Sequence, residues 1–313
     1  MDKRVAVGLA GLTLLVLYAS VAYAQIEGQL QAYTGRNAGG YLAPLVQAMG
    51  TDLTSGQFHS ARIPLRGVHA SLEFSFMTVF FGERSRSFVA TTEGDFAPTQ
   101  STAAPTVIGP TEVVYVEGNA GTQFAFPGGF DVDNLPFAAP QLRLGSWHGT
   151  EAVFRYLFFD TGDAILGDLS LYGVGARHNL SQYLGESFPA DVALAALWQS
   201  ASLGTNERGN DLIASDSYSV GLQASRQFGN VTPYAGIALD WFSMDVSYVY
   251  ELFDESESID LSFEENADVH YTLGVSYSLA FVNAFGEYNL ANQNALAVGL
   301  AFQYTSSDRS VGP

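Results

Sequence analysis

The stretch Val269-His-Tyr-Thr-Leu-Gly-Val-Ser-Tyr-Ser-Leu-Ala-Phe281 divides cleanly by parity. Val269, Tyr271, Leu273, Val275, Tyr277, Leu279 and Phe281 form one set; His270, Thr272, Gly274, Ser276, Ser278 and Ala280 form the other. Successive strand side chains point to opposite faces, so this is a strand with one apolar face and one small, polar face. The division recurs at 295–304, where Leu296, Val298, Leu300, Phe302 and Tyr304 oppose Ala295, Ala297, Gly299, Ala301 and Gln303. At 217–228, Tyr218, Val220, Leu222, Ala224 and Phe228 oppose Ser217, Ser219, Gly221, Gln223, Ser225 and Gln227, with Arg226 the exception on the apolar side. A soluble sandwich or a lipocalin-like barrel also alternates, but its polar face meets water and carries charge. Ser, Thr, Gly, Ala and Gln instead suit the inside of a closed transmembrane barrel, and Tyr, Leu, Val and Phe suit lipid. The expected fold is therefore all-β, an antiparallel transmembrane β-barrel, with Gln223, Ser225, Asp240, His270, Thr272, Ser276 and Ser278 lining its lumen.

Working outward from these strands, residues 232–250 show a change of phase. Ala235, Ile237, Leu239 and Trp241 are apolar at odd positions, with Asp240 facing the other way; beyond Trp241-Phe242, the apolar residues are Phe242, Met244, Val246 and Tyr248. A bulge or twist at the aromatic pair would reverse the faces. The first phase is about ten residues long, enough to cross the hydrocarbon, and the second is expected to stand in external solvent. Gly229-Asn230 and 280–283 read as tight turns, whereas 203–215 and 251–268 read as long polar loops; barrels of this kind keep short turns on the periplasmic side. Strands are expected near 67–81, 140–147, 150–159, 167–178, 191–203, 215–228, 232–250, 258–280, 283–290 and 295–304. A further pair within 111–130 would bring about 12, in a range of 10–14.

The N-terminus reads as an export signal. Met1 to Arg4 is basic, residues 5–21 are apolar, and Ala22-Tyr-Ala24 offers small residues where a signal peptidase cuts, before Gln25. Removing 24 of the 313 residues leaves 11 arginines, no lysine and 31 acids, so the net charge of −19 becomes −20. That balance excludes nucleic acid as a partner, because phosphate neutralisation needs a basic face. Zero cysteine removes disulfides and thiolate chemistry. Residues 25–65 hold a short helix over 40–49, with Pro44 near its start and Gly50 at its end, as a periplasmic helix, a lumen plug or a flexible leader. The barrel is expected over 66–304, with a Thr/Pro/Gly-rich excursion at 82–138 and a tail at 305–313.

No catalytic chemistry emerges. Gly-x-Ser-x-Gly, His-Glu-x-x-His and phosphate-loop patterns are absent, and His59, His69, His148, His178 and His270 lack metal-ligand spacing. No enzyme, cofactor or metal centre is expected. Glu251, Asp254, Glu255, Glu257, Asp260, Glu264, Glu265 and Asp268 place eight carboxylates in one segment without a cation. Divalent cations are the partners such oxygens would take, but the spacing misses the calcium-loop pattern and a solvated, self-repelling loop is the simpler reading.

Several blocks carry a family resemblance: Gly40-Tyr-Leu-Ala-Pro-Leu, Asp52-Leu-Thr-Ser-Gly-Gln-Phe, Ala104-Pro-Thr-Val-Ile-Gly-Pro, Phe126-Pro-Gly-Gly-Phe, Ala139-Pro-Gln-Leu-Arg-Leu-Gly, Gly149-Thr-Glu with Arg155-Tyr, and Leu171-Tyr-Gly-Val-Gly-Ala-Arg-His-Asn-Leu. In this order they resemble an uncharacterised family of exported β-barrels, frequent in Bacteroidota-type bacteria and catalogued as a domain of unknown function. The resemblance implies an outer-membrane location and lends no catalytic residue. The helix-then-barrel layout is also similar, in architecture only, to long-chain fatty-acid transporters, whose N-terminal segment plugs the lumen. Gly299-x-x-Phe302-x-Tyr304 resembles the terminal-strand motif read by the outer-membrane assembly machinery, although nine residues follow it. The expected function is that of a passive channel or carrier for a small, perhaps hydrophobic solute, with a structural and interaction barrel within an envelope complex as the alternative.

Overall fold

Among the described residues, alternation along the chain resolves into one α-helix and fourteen strands. The computed structural model describes residue 33 and residues 36–160, 168–185, 188–205, 211–252 and 255–306; the expected signal peptide lies outside them. Helix α1 (Arg36–Thr54) precedes β1 (His69–Phe80), β2 (Ser87–Thr91), β3 (Ser101–Pro105), β4 (Val114–Glu117), β5 (Gln123–Phe126), β6 (Asn134–Trp147) and β7 (Thr150–Asp160). Then follow β8 (Asp168–Asn179), β9 (Asp191–Thr205), β10 (Asp211–Ser225), β11 (Val231–Leu252), β12 (Glu255–Leu279), β13 (Val282–Leu290) and β14 (Ala295–Thr305).

β1 and β6 to β14 close a ten-stranded antiparallel barrel, each strand beside its sequence neighbour except at the seam. There β1 pairs with β14 from His69↔Thr305 to Val79↔Ala295, and on its other edge with β6 from His69↔Gly145 to Phe80↔Asn134. The pair expected within 111–130 does form, as β4–β5, but it is a separate hairpin, like β2–β3, and the wall has ten strands rather than twelve. Short strands look alike in sequence whether they join a wall or stand apart. Several wall strands run longer than expected: β6 starts at Asn134, shortening the excursion, and β9 and β10 leave only 206–210 between them. The acidic segment is likewise not a loop; most of it is the arm of β12. Its expected carboxylates at Glu251, Asp254, Glu255, Glu257 and Glu265 lie outside the described side chains.

β11, 22 residues long, changes character along its length. Its even-numbered side chains are buried from Thr232 through Ala238, Asp240, Phe242, Met244 and Val246 to Tyr248, without a break. The expected reversal of faces at Trp241-Phe242 therefore does not occur on β11; the chemistry inverts while the geometry continues. Below this level the outside is apolar (Ile237, Leu239, Trp241) and the inside polar (Thr232, Asp240); above it the inside is apolar and Ser243, Asp245 and Ser247 face out. The irregularity sits on the partner: Asp240 and Phe242 pair with Asp268 and Glu265, so β12 carries the extra residue and its odd positions change sides.

An aromatic row marks that level. Tyr156 pairs with Tyr172, whose ring meets Trp198 at 5.5 Å, and Tyr218 pairs with both Trp198 and Trp241. At the tight-turn end Trp147, Phe228, Tyr277, Phe281 and Tyr304 are exposed. Between the two rows the outer surface is Leu, Val, Ile and Phe, for example Phe74, Leu142, Phe154, Val220, Ile237, Leu273 and Leu300. Such a banded exterior with aromatic girdles is what a bilayer selects. No helix among the described residues is long and apolar enough to cross a membrane.

A prediction follows from the inversion. Ile237→Arg, facing out between the girdles, should cost about 2–4 kcal/mol in lipid, whereas Asp245→Arg, facing out above them, should cost no more than about 0.5 kcal/mol. Urea titration of vesicle-embedded protein, followed by heat-modified gel mobility, separates the two; equal losses would contradict a membrane band ending near Trp241.

Candidate functional site

The lumen is occupied, and α1 is the upper part of its filling. Tyr41, Leu42, Leu45 and Val46 pack against Leu171, Ile213, Phe242, Met244 and Tyr248 from the inner faces of the tall strands. The helix runs past the expected stop at Gly50 to Thr54 and begins at Arg36. Pro44 lies inside it, where its missing N–H costs a bond, so tertiary packing rather than local propensity holds this helix. The excursion 81–133 closes over it. Asn37 donates to the Thr91 carbonyl at 2.6 Å and accepts from Thr91 N–H at 3.0 Å, and Val107 N–H donates to the Tyr41 carbonyl at 2.9 Å. Phe88 lies over Gly40 so closely that a Cβ there would come within 2.4 Å of its ring. Tyr41 donates to the Gly128 carbonyl at 3.1 Å, and burial pushes its phenol above the ordinary tyrosine range.

Below α1 the chain runs extended down the lumen to the start of β1. Arg155 and Gln199 meet the end of the helix: Arg155 Nη1 and Gln199 Nε2 donate to the Leu53 carbonyl at 2.9 and 2.8 Å, and Arg155 Nη2 to the Ser55 carbonyl at 3.1 Å. A cation suits this place, because the last carbonyls of a helix lack partners and carry its negative pole. Gln141 accepts from Arg155 Nε at 3.0 Å and Gln199 from Nη1 at 2.9 Å.

Wall side chains then reach the main chain of this segment almost residue by residue. Glu287 accepts from Gly56 N–H at 2.7 Å and Ser75 donates to the Gly56 carbonyl at 3.2 Å. Gln141 donates to the Gln57 carbonyl at 3.2 Å and Ser276 to that of His59 at 3.1 Å. Arg177 donates to the Ser60 carbonyl, and Ser225 accepts from Ala61 N–H at 2.9 Å. Asn179 donates to the Ile63 carbonyl at 2.8 Å and Ser146 to that of Pro64. These donors and acceptors come from strands all round the barrel, so the segment is held centrally.

Four adjacent strands add an alternating ionic belt. Glu73 on β1 pairs with Arg143 on β6; Arg143 lies 3.5 Å from Glu151 on β7, which pairs with Arg177 on β8 at 2.5 Å. His59 of the threaded segment joins it, with Nε2 3.0 Å from Glu73 and its ring stacked on Phe285 at 4.9 Å. All are at least nine-tenths buried. Removing one member would leave a buried charge uncompensated, which typically costs 3–5 kcal/mol.

The expected lining residues occupy the other half of the wall. Ser225 and Ser276 bond the threaded segment, and Gln223 accepts from Arg177 at 2.9 Å. Asp240, His270 and Thr272 form a chain: His270 Nδ1 is 2.7 Å from Asp240 and Nε2 is 2.8 Å from Thr272, which donates to Asn289 at 2.6 Å. Asn289 donates to Glu287, the residue holding Gly56. Ser278 is half-buried near the tight-turn end and accepts from Asn283. These residues face protein rather than an open passage. A crevice beside Asp240, Asp268 and Asn292 offers about 20 Å³, room for a water rather than a solute. Among the described residues no three His, Asp or Glu side chains converge as metal ligands.

Glu73, Arg143, Glu151, Arg155, Arg177 and Glu287 escaped the sequence reading, although their signal was present. Each lies on the non-lipid parity of its strand, as Glu73 does between Ser71 and Ser75 and opposite Leu72, Phe74 and Phe76. A charge at such a position must meet a partner inside.

Residues 1–304 match the family of unknown function DUF6588, and the chain belongs to it. No curated protein matches. Solved structures with a similar outline include the β domain of the Bordetella autotransporter BrkA, 9% identical over 76% of this chain and 99% of that one, with TM-score 0.32. The transport unit of the Escherichia coli autotransporter AIDA-I is 11% identical over 83% and 97%, with TM-score 0.30. The toluene transporter TbuX of Ralstonia pickettii is 11% identical over 79% and 92%, with TM-score 0.28. Scores this low carry no argument about what the present chain does.

Arg155→Met should strip donors from the end of α1 and lower stability by about 1–3 kcal/mol. Arg62→Ala, which removes an exposed contact to Gln227, should change it by less than about 0.5 kcal/mol. Urea midpoints in detergent micelles provide the comparison, and equal effects would show that the threaded segment is not held from the wall.

Proposed function

We propose that this member of the DUF6588 family is an outer-membrane barrel sealed by its own N-terminal segment, and that it acts as a structural and interaction barrel. In this reading the girdled band sits in lipid, the tight turns, the start of β1 and the end of β14 face the periplasm, and the capped end with its long arms faces outward. Orientation rests on turn length, since barrels of this class keep short turns inside. β14 completes closure against β1, which makes it the strand the assembly machinery would read. The solvent-facing acids Asp245, Asp260 and Glu264 on the arms of β11 and β12 present a negative surface to partners.

One observation carries the reading: wall side chains bond the main chain of residues 53–64 instead of lining a water-filled path. Above that polar stopper the helix, the arms and the excursion share one hydrophobic core. Ten strands make a narrow barrel, between filled eight-stranded ones and open porins. A passive channel for a small solute would require this filling to leave.

Solute flux from vesicles decides between the two. Full-length protein reconstituted in liposomes should release trapped small sugars or toluene-sized solutes no faster than empty vesicles. Release that rises with protein content would replace the sealed barrel by the channel reading.

A further inference from the structure

The threaded segment is bound as a ligand is bound, and this distinguishes it from the wall. It adds no strand to the sheet: the main-chain bonds near its lower end, Gly149 N–H to the Leu65 carbonyl and Ser146 N–H to that of Gly67, lie at the rim. Inside, side chains of the wall read its peptide groups, alternating donors for carbonyls with acceptors for the N–H groups of Gly56 and Ala61. Main-chain recognition supplies affinity without sequence, while pockets supply choice. Most of its own side chains are buried, but the polar ones among them that bond the wall are few: His59 sits between Glu73 and Phe285, while Phe58 lies 5.5 Å from the Arg177 guanidinium and Ile63 packs by Ala193. Arg62 and Leu65 face solvent.

We propose that the lumen wall is a seat for an extended polypeptide, that residues 55–65 are its resident occupant, and that the seat accepts another extended polypeptide of different sequence. This rests on the lumen being sealed by that segment. The occupant would be an unpaired main chain with small or polar side chains at most positions and an aromatic or imidazole ring near the level of Glu73.

The test uses the full chain with a protease site inserted after Arg66, in the exposed stretch before β1. After folding in detergent and complete cleavage, the N-terminal fragment is washed out with urea while the barrel stays folded by gel mobility; labelled synthetic peptides spanning residues 36–66 are then added and retention is measured. Three are compared: the native sequence; one with Ser55, Gln57, Ser60, Arg62 and Leu65 replaced by alanine; and one N-methylated at Gly56 and Ala61. The native and alanine peptides should bind within about threefold of each other, and the N-methylated peptide about tenfold or more weaker, as expected for two lost hydrogen bonds, one to a carboxylate. No binding by any peptide, an N-methylated peptide as tight as native, or an alanine peptide as weak as the N-methylated one would each overturn the proposal. Failure of the sealed-barrel reading is distinguishable, because it shows as leakage from vesicles holding uncleaved protein.

Discussion

Polar groups inside this barrel are shielded from bulk water, and the main chain of the threaded segment partners wall side chains on strands all round it. An unpaired buried donor or acceptor costs roughly 1–3 kcal/mol, and a charge more. Arg155 illustrates the dependence: its guanidinium is met by the terminal carbonyls of α1 and by two glutamines, so wall and helix complete one another. Glu287 and Ser225 depend in the same way on Gly56 and Ala61. The seam follows from this arrangement. Because the segment descends to the tight-turn end before β1 begins, β1 rises beside it and the excursion 81–133 is left at the opposite end, above α1.

A second constraint, the change of surroundings at the Tyr156–Trp241 row, shapes the upper half. Below the row the outside is apolar and the inside polar; above it the outside is polar and the inside is an apolar chamber. One uninterrupted strand serves both by changing residue types, from Leu239 out and Asp240 in to Asp245 out and Met244 in. The acid excess of the chain becomes intelligible in part, since Asp245, Asp260 and Glu264 sit on surfaces that water can reach. The apolar content serves two surfaces, a lipid-facing band and a chamber core.

Much of this was legible before the structure, for definable reasons. Alternation in the C-terminal half exposed the strands because their two faces differ in chemistry, and Ser225, Asp240, His270, Thr272 and Ser276 are buried inside as the parity requires. The apparent reversal at Trp241-Phe242 misled because residue type was taken for orientation. Pro44 and Gly50 suggested a shorter helix than packing maintains. β4 and β5 were visible as a pair, but nothing local tells a hairpin from two staves of a wall. The ladder onto residues 53–64 joins positions separated by up to 231 residues in the chain, and such partnerships leave no mark on neighbouring sequence. The charges at Glu73, Arg143, Arg155 and Arg177 could have been found by extending the parity argument to the first half of the barrel.

The chain contains no cysteine, which makes thiol labelling a direct probe of the filled lumen. Single-cysteine variants at Ala61, buried against the wall, and at Leu65, exposed at the tight-turn end, would be treated in native outer-membrane vesicles with a small permeant maleimide. A sealed lumen predicts rapid labelling at position 65 and labelling at least about a hundredfold slower at position 61, the ratio expected when access requires an opening that costs a few kcal/mol. Equal rates at the two positions would contradict it, because the segment would then stand in water.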